Sequence, residues 1–223
     1  MTHHDGDSFF LEHILTWFSQ YGREFPWRKF DITPFQSLVT ELLLQRTKAS
    51  MVADIHGMFM EKYGKPSLIL EAGKSKLQDD LQPLGMHKRR AHSLHTIAMQ
   101  IKEEHGGKVP EQEQVLLKLP GIGRYIARAV QCFAFGMPVS IVDVNVTRIL
   151  CRFYSLENKG DNRRNKHLWK KAQAIINREP ARAKEINWAM LDLAATVCIS
   201  RTPQCNDCPL LDGCRYIPLR KSG

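Results

Sequence analysis

Leu119-Pro120-Gly121-Ile122-Gly123 joins two stretches of helical pattern, Glu113 to Lys118 and Arg124 to Phe135. Two glycines let the backbone turn tightly and come close to a partner. Their N–H groups and the N-terminus of the following helix form a concave anion site, and Arg124 adds a positive charge beside it. In a basic protein a DNA phosphate is the natural ligand of such a turn. The five residues alone leave a plain helix–helix connection with a glycine cap equally open.

The chain around this turn is basic. It has 223 residues, with 32 Lys and Arg against 23 Asp and Glu, a net charge of +9. That balance favours a polyanion such as nucleic acid or an anionic membrane surface, although good solubility alone would also account for it. No apolar run approaches the roughly 20 residues of a membrane helix. The start, Met1-Thr2-His3-His4-Asp5, lacks the layout of a signal peptide. The expectation is a cytoplasmic protein, nucleoid-associated if prokaryotic, whose cysteines stay reduced or bind metal. The length suits one large domain or two small ones.

Apolar spacing predicts an all-α fold. Phe9, Phe10, Ile14, Leu15, Trp17 and Phe18 share one face of a helix that Gly22 closes. Thr33-Pro34 starts another, with proline where its missing N–H costs nothing. Ala49, Val52, Phe59 and Tyr63 mark a third, and Ser67 is expected to cap a short fourth. Ala91, Leu94, Ile97, Ala98 and Ile101 mark a longer one, ended by Gly106-Gly107. Asp143 to Phe153 and Ile186 to Val197 complete the set. Val139 to Val146 is rich in β-branched residues, but Asp143 and Asn145 interrupt it and no partner strand exists. It reads as a loop entering a helix. Lys159, Arg163, Arg164, Lys166, Lys170 and Lys171 oppose Asp161 alone, which suits a DNA-facing surface or a solvated helix face equally.

Four of the six cysteines, Cys198, Cys205, Cys208 and Cys214, fall in the last 26 residues. A zinc site usually shows two paired-cysteine knuckles, and this stretch has one C-x-x-C. The uneven spacing suits a cubane cluster held by four thiolates. Cys132 and Cys151 sit among apolar residues and read as ordinary buried thiols.

The LPGIG turn, the aliphatic helix ending Phe133-Ala134-Phe135-Gly136, and Val142-Asp143 resemble the helix-hairpin-helix superfamily of DNA glycosylases. That family includes endonuclease III, the adenine glycosylase and the thymine–guanine mismatch glycosylase, and the last is nearest. The resemblance runs from Phe25-Pro26-Trp27-Arg28 to Cys214. It implies two helical domains flanking a DNA-binding cleft, with a C-terminal iron–sulfur loop. Residues 29–137 would form a six-helix barrel domain with the hairpin motif at about 113–135, and residues 1–28 plus 138–223 a cluster domain with its loop at 198–214. It further implies a [4Fe-4S] cluster on Cys198, Cys205, Cys208 and Cys214, structural and DNA-positioning in role, with Arg201 near phosphate. A monovalent cation, K+ or Na+, would sit on the hairpin carbonyls of Leu117, Leu119 and Ile122. The partner would be double-stranded DNA carrying a mismatched or damaged base, bound by a monomer away from any membrane.

The same resemblance assigns roles. An Asp at a helix start is ordinarily an N-cap. Asp143 matches the family's carboxylate that stabilises positive charge on the sugar as the base departs. Glu41, amid leucines, matches the acid of the leaving base, with a surface pair to Arg46 or Lys48 as the alternative. Two positions beyond Gly123 a lysine would form a Schiff base and permit strand cleavage. Tyr125 stands there, so the implied enzyme is monofunctional and Tyr125 belongs to its catalytic set, unless it is a core aromatic. Gln45 matches the side chain that inserts into the duplex, with Arg46 beside it. In Leu84-Gly85-Met86-His87-Lys88-Arg89-Arg90, Met86 is the expected wedge and the basic residues the phosphate contacts. Gly121, Gly123, Arg124 and Asn145 complete the DNA-binding set.

The chain ends nine residues after Cys214, where the adenine enzyme continues into a domain that reads oxidised guanine. The expected function is removal of thymine, and uracil, mispaired with guanine. The alternatives are an adenine glycosylase without its reader domain and a non-catalytic DNA-binding module.

Overall fold

The structure, a computed structural model, describes residues 6–28, 32–157 and 165–216. Every regular element among them is helical. In chain order they are α1 (Gly6–Tyr21), α2 (Pro34–Leu44), α3 (Ala49–Tyr63), α4 (Pro66–Asp80), α5 (His87–Glu104), α6 (Glu113–Leu116), α7 (Arg124–Phe133), α8 (Val144–Tyr154), α9 (Lys166–Ile176) and α10 (Ala183–Thr196). The chain divides into two compact units, Glu24–Gly136 and a second made of Met1–Arg23 with Met137–Gly223. No described helix is long and apolar enough to cross a membrane.

The Glu24–Gly136 unit holds α2 to α7. Helix α2 starts as Thr33-Pro34 predicts, through a capping box. Thr33 Oγ1 accepts from the Gln36 N–H at 3.2 Å, and Gln36 Oε1 accepts from the Thr33 N–H at 3.0 Å. Leu38, Leu43, Ile69, Leu77, Leu94, Ile101 and Leu116 interlock as the core. Ser67 is not a cap. Helix α4 begins at Pro66 with Lys65 in the cap position, because proline already carries the φ a first helical residue needs, and Ser67 falls inside the first turn. Helix α6 is four residues long rather than running to Lys118. Its end tightens, with the Lys118 N–H on the Val115 carbonyl and the Leu119 N–H on that of Leu116. Helix α7 ends at Phe133, two residues before the expected Phe135.

In the second unit α10 packs against α1 and α8. The β-branched run has no strand partner because side chains satisfy its backbone. Asn187 Oδ1 accepts from the Ile141 N–H at 2.9 Å, and its Nδ2 donates to the Val139 carbonyl at 2.9 Å. Gln173 Oε1 accepts from the Ser140 N–H at 3.0 Å. Asn187 is fully buried on α10, so the loop that delivers Asp143 is stitched to the unit's core. Arg23 grips the buried Asp192 through its backbone N–H at 2.8 Å and its guanidinium at 2.7 Å. Within the basic run, Lys171 bonds Asp7 and lies over the Tyr154 ring at 3.8 Å, so it ties α9 to α1 and α8. Lys166 and Lys170 are exposed, while Lys159, Asp161, Arg163 and Arg164 lie outside the described residues.

Candidate active site and nucleic-acid interface

Leu119 and Ile122 are 4% and 6% exposed and anchor the hairpin turn to the core. Gly121 and Gly123 remain exposed. Gly121 takes φ 82°, a left-handed conformation that only glycine adopts freely. Gly123 is the N-cap of α7 and offers no side-chain bond, so the first N–H groups of that helix await an outside acceptor. Arg124 stands at this end, but Glu113 Oε1 accepts from its Nε at 3.2 Å, and Glu113 Oε2 takes Arg128 at 3.3 Å. The hairpin's positive charge is thus shared with a carboxylate. The Leu119 carbonyl accepts from the Ile122 N–H at 3.2 Å and keeps one lone pair for a further partner.

Two other turns of this unit present the expected wedges. Helix α2 ends at Leu44, Gln45 is its C-cap, and Arg46 is exposed with φ 55°. Gln45 Nε2 donates to the Gly121 carbonyl at 3.0 Å, which joins this turn to the hairpin. Met86 precedes α5 with φ 50° and is 38% exposed. Lys88 and Arg89 are exposed, as phosphate contacts require. Arg90 is not such a contact. It is 6% exposed and its guanidinium turns inward onto the two turns, because position 90 shares the apolar register of Leu94, Ile97 and Ile101.

Glu41 lies on α2 and is 5% exposed, a buried acid rather than half of a surface pair. The neighbouring Thr40 Oγ1 donates to the Gln36 carbonyl at 2.8 Å and so accepts from His56 Nε2 at 2.9 Å. Burial pushes His56 down to a pKa of about 4. Tyr125 is half-buried in the first turn of α7 and packs against the core.

In the second unit Asp143 is the N-cap of α8. Its Oδ1 accepts from the N–H groups of Asn145 and Val146, each at 2.8 Å, and its Oδ2 from Asn145 Nδ2 at 2.7 Å. Asn145 Oδ1 in turn accepts from Arg148 Nη2 at 3.1 Å. The same guanidinium donates to the carbonyls of Ala194 and Cys198, each at 2.8 Å. A chain of hydrogen bonds therefore runs from the carboxylate to the first cysteine of the loop. The sequence reading missed Arg148. Its signal was a cation close to a helix N-terminus, where the helix dipole disfavours one unless nearby acceptors hold it.

Cys198, Cys205, Cys208 and Cys214 line one cavity, with Arg152, Val197, Leu211 and Tyr216. Burial, joined by the charges of the other three thiols, pushes Cys208 up to about 11. Arg152 donates to Cys198 Sγ at 3.3 Å and stacks over the Tyr216 ring at 4.6 Å. A Cβ on Gly213 would fall 2.8 Å from the Phe9 ring, so the loop depends on glycine there for close packing. Among the described residues no group of three or more His, Cys, Asp and Glu is placed to hold a metal ion.

A glycine-capped hairpin beside exposed basic turns suits contact with a phosphate backbone. Residues 39–174 match the HhH-GPD superfamily of base excision DNA repair proteins. The chain belongs to that superfamily and, within it, to the DNA glycosylases. It is similar to the thymine/uracil-DNA glycosylase of Methanothermobacter thermautotrophicus, 33% identical over 207 residues that span 93% of this chain and 92% of that one. The adenine DNA glycosylase of Mycobacterium tuberculosis is 35% identical over 206 residues, 91% of this chain and 66% of that one. A solved thermostable thymine-DNA glycosylase matches with a TM-score of 0.89 and 33% identity over 95% of this chain and 96% of that one. Identity alone does not rank the thymine relatives above the adenine ones.

Proposed function

We propose that this glycosylase hydrolyses the N-glycosidic bond of thymine, and of uracil, mispaired with guanine in double-stranded DNA, and leaves the abasic site uncut. Tyr125 carries the reading. It stands two residues beyond Gly123, where the resemblance puts lysine in the lyases, and a phenol cannot form a Schiff base. The likeness to a thymine-DNA glycosylase structure over nearly the whole of both chains supports the pyrimidine substrate.

The residues divide the work. Gly121, Gly123 and the start of α7 hold a phosphate, with Arg124, Lys88 and Arg89 adding charge. A monovalent cation on the carbonyls of Leu117, Leu119 and Ile122 would extend that contact. Gln45 and Met86 fill the gap left by the flipped base, which costs a few kcal/mol to open. Asp143, fixed by three hydrogen bonds, stabilises the cationic sugar as the bond breaks and orients water. The buried Glu41 protonates the departing base.

Four thiols around one cavity fit a [4Fe-4S] cluster on Cys198, Cys205, Cys208 and Cys214. Bound, its iron would offset the charge of four thiolates and brace the loop that Arg148 and Arg152 grip. Hydrolysis of a glycosidic bond moves no electrons, so the role is structural.

Duplexes carrying T·G, U·G, A·G and A opposite oxidised guanine, each assayed with and without hot alkali, test the proposal, together with iron and sulfide analysis of the purified protein. Cleavage at T·G and U·G only after alkali is expected. Cleavage at adenine alone would make the protein an adenine glycosylase, and strand breaks without alkali would overturn the part assigned to Tyr125.

A further inference from the structure

Three non-glycine residues among those described adopt a left-handed backbone, and two of them, Arg46 and Met86, sit in the two wedge turns. Such a backbone crowds the Cβ of an L-residue and persists only where its surroundings impose it. One side chain lies behind both. Arg90 Nη1 donates to the carbonyls of Leu84 at 2.7 Å and Gly85 at 2.6 Å, immediately before Met86. Its Nη2 donates to the carbonyl of Leu43 at 3.2 Å, to that of Gln45 at 2.6 Å and to Thr47 Oγ1, the last two flanking Arg46. All five acceptors are neutral, so a charge is buried for the sake of backbone shape. Only a planar fork with donors on two nitrogens spans both turns; a lysine ammonium is a single point.

We propose that Arg90 is a positioning residue that locks the Gln45–Arg46 turn and the Met86 turn in one mutual register, so that both enter the duplex together and base eversion depends on a side chain that touches no DNA. This rests on the assignment of Gln45 and Met86 as wedges. Lys88 and Arg89, two residues and one residue earlier, face solvent and serve a different purpose.

The test uses the full chain as wild type, Arg90→Lys, Arg90→Met and Thr47→Val. The readouts are thermal stability, affinity for an undamaged duplex, and fluorescence of 2-aminopurine beside a mismatched base as the reporter of eversion. Arg90→Lys is expected to cut the eversion equilibrium by about a hundredfold, as loss of two or more charge-assisted hydrogen bonds implies, while undamaged-duplex affinity stays near wild type. Thr47→Val removes one acceptor and should lower eversion several-fold at unchanged thermal stability, which decides the matter if the Arg90 variants do not fold. Normal eversion by folded Arg90→Lys, or by Thr47→Val, would overturn the proposal. Gln45→Ala and Met86→Ala separate the two ideas. If both evert normally, the wedge assignment falls and this proposal with it; if both lose eversion while Arg90→Lys keeps it, Arg90's part alone is wrong. Eversion is read without base removal, so the outcome stands apart from whether thymine or adenine is the excised base.

Discussion

Arg90 in the Glu24–Gly136 unit and Arg148 in the second unit each donate to neutral oxygens behind a functional turn, but the turns differ in what else holds them. Asp143 caps a helix in ordinary extended geometry and is fixed by two backbone N–H groups before Asn145 and Arg148 add their share. The wedge turns have no such cap. Arg46 and Met86 are left-handed, the N-terminus of α5 receives no side-chain bond from Met86, and the Arg90 guanidinium donates to carbonyls in both turns. On the proposed roles, the group that stays put during bond cleavage is built into a helix end, and the groups that enter the duplex are set on left-handed turns and tied from behind.

The largest effect belongs to the carboxylate itself. Asp143→Asn keeps an oxygen to cap α8, so stability should hardly move. Single-turnover base removal should fall by about a thousandfold or more, because the anion facing the cationic sugar is lost. Mismatch binding by the folded variant should persist. Near-normal cleavage would leave Asp143 a cap and nothing more, and the contrast between the turns would lose its catalytic meaning.

Arg148→Met sharpens the contrast. It breaks the link from Asn145 to the carbonyls of Ala194 and Cys198 but leaves both backbone bonds to Asp143 intact. Base removal should drop by about ten- to a hundredfold, the usual cost of losing an orienting group one step behind the chemistry. Eversion, measured as above, should be untouched, the reverse of the pattern for Arg90→Lys. Equal loss of eversion in both variants would show that the two arginines do not divide the work between the units.

Much of this was legible in the chain. Helix α2 announces itself through Thr33-Pro34, and the loop before α8 through Asp143 and Asn145 breaking a β-branched run. The reason that run needs no partner strand was not legible, since Asn187 and Gln173 lie far along the sequence. Ser67 misled because proline one residue earlier overrides a hydroxyl cap. The loop's composition groups Arg90 with Lys88 and Arg89 as phosphate contacts. Its spacing from Leu94, Ile97 and Ile101 places it on the buried face, where an arginine can stay only if backbone oxygens meet it. Charge in a sequence is easily counted, but its direction follows from helical register.

The smallest effect tests what lies beneath the Gln45 turn. His56 is 6% exposed, lies beside Trp27 at 5.3 Å and donates to Thr40 on α2, the helix that bears Glu41 and leads to Gln45. Its ring is neutral in the fold, with a pKa of about 4 against an ordinary 6.5. As pH falls through 6.5 the unfolded chain takes up that proton first. The stability His56 contributes is therefore complete above pH 6.5 and is lost progressively as pH drops towards 4. At pH 5.5 the loss is about 1 kcal/mol. His56→Gln keeps a donor for Thr40 without a titrating ring, so its unfolding free energy should lack this part of the acid slope. If wild type and His56→Gln lose stability in parallel between pH 7 and 5, the buried ring is not the acid-sensitive support of α2, and the strain in the wedge turns rests on Arg90 with no titrating partner behind it.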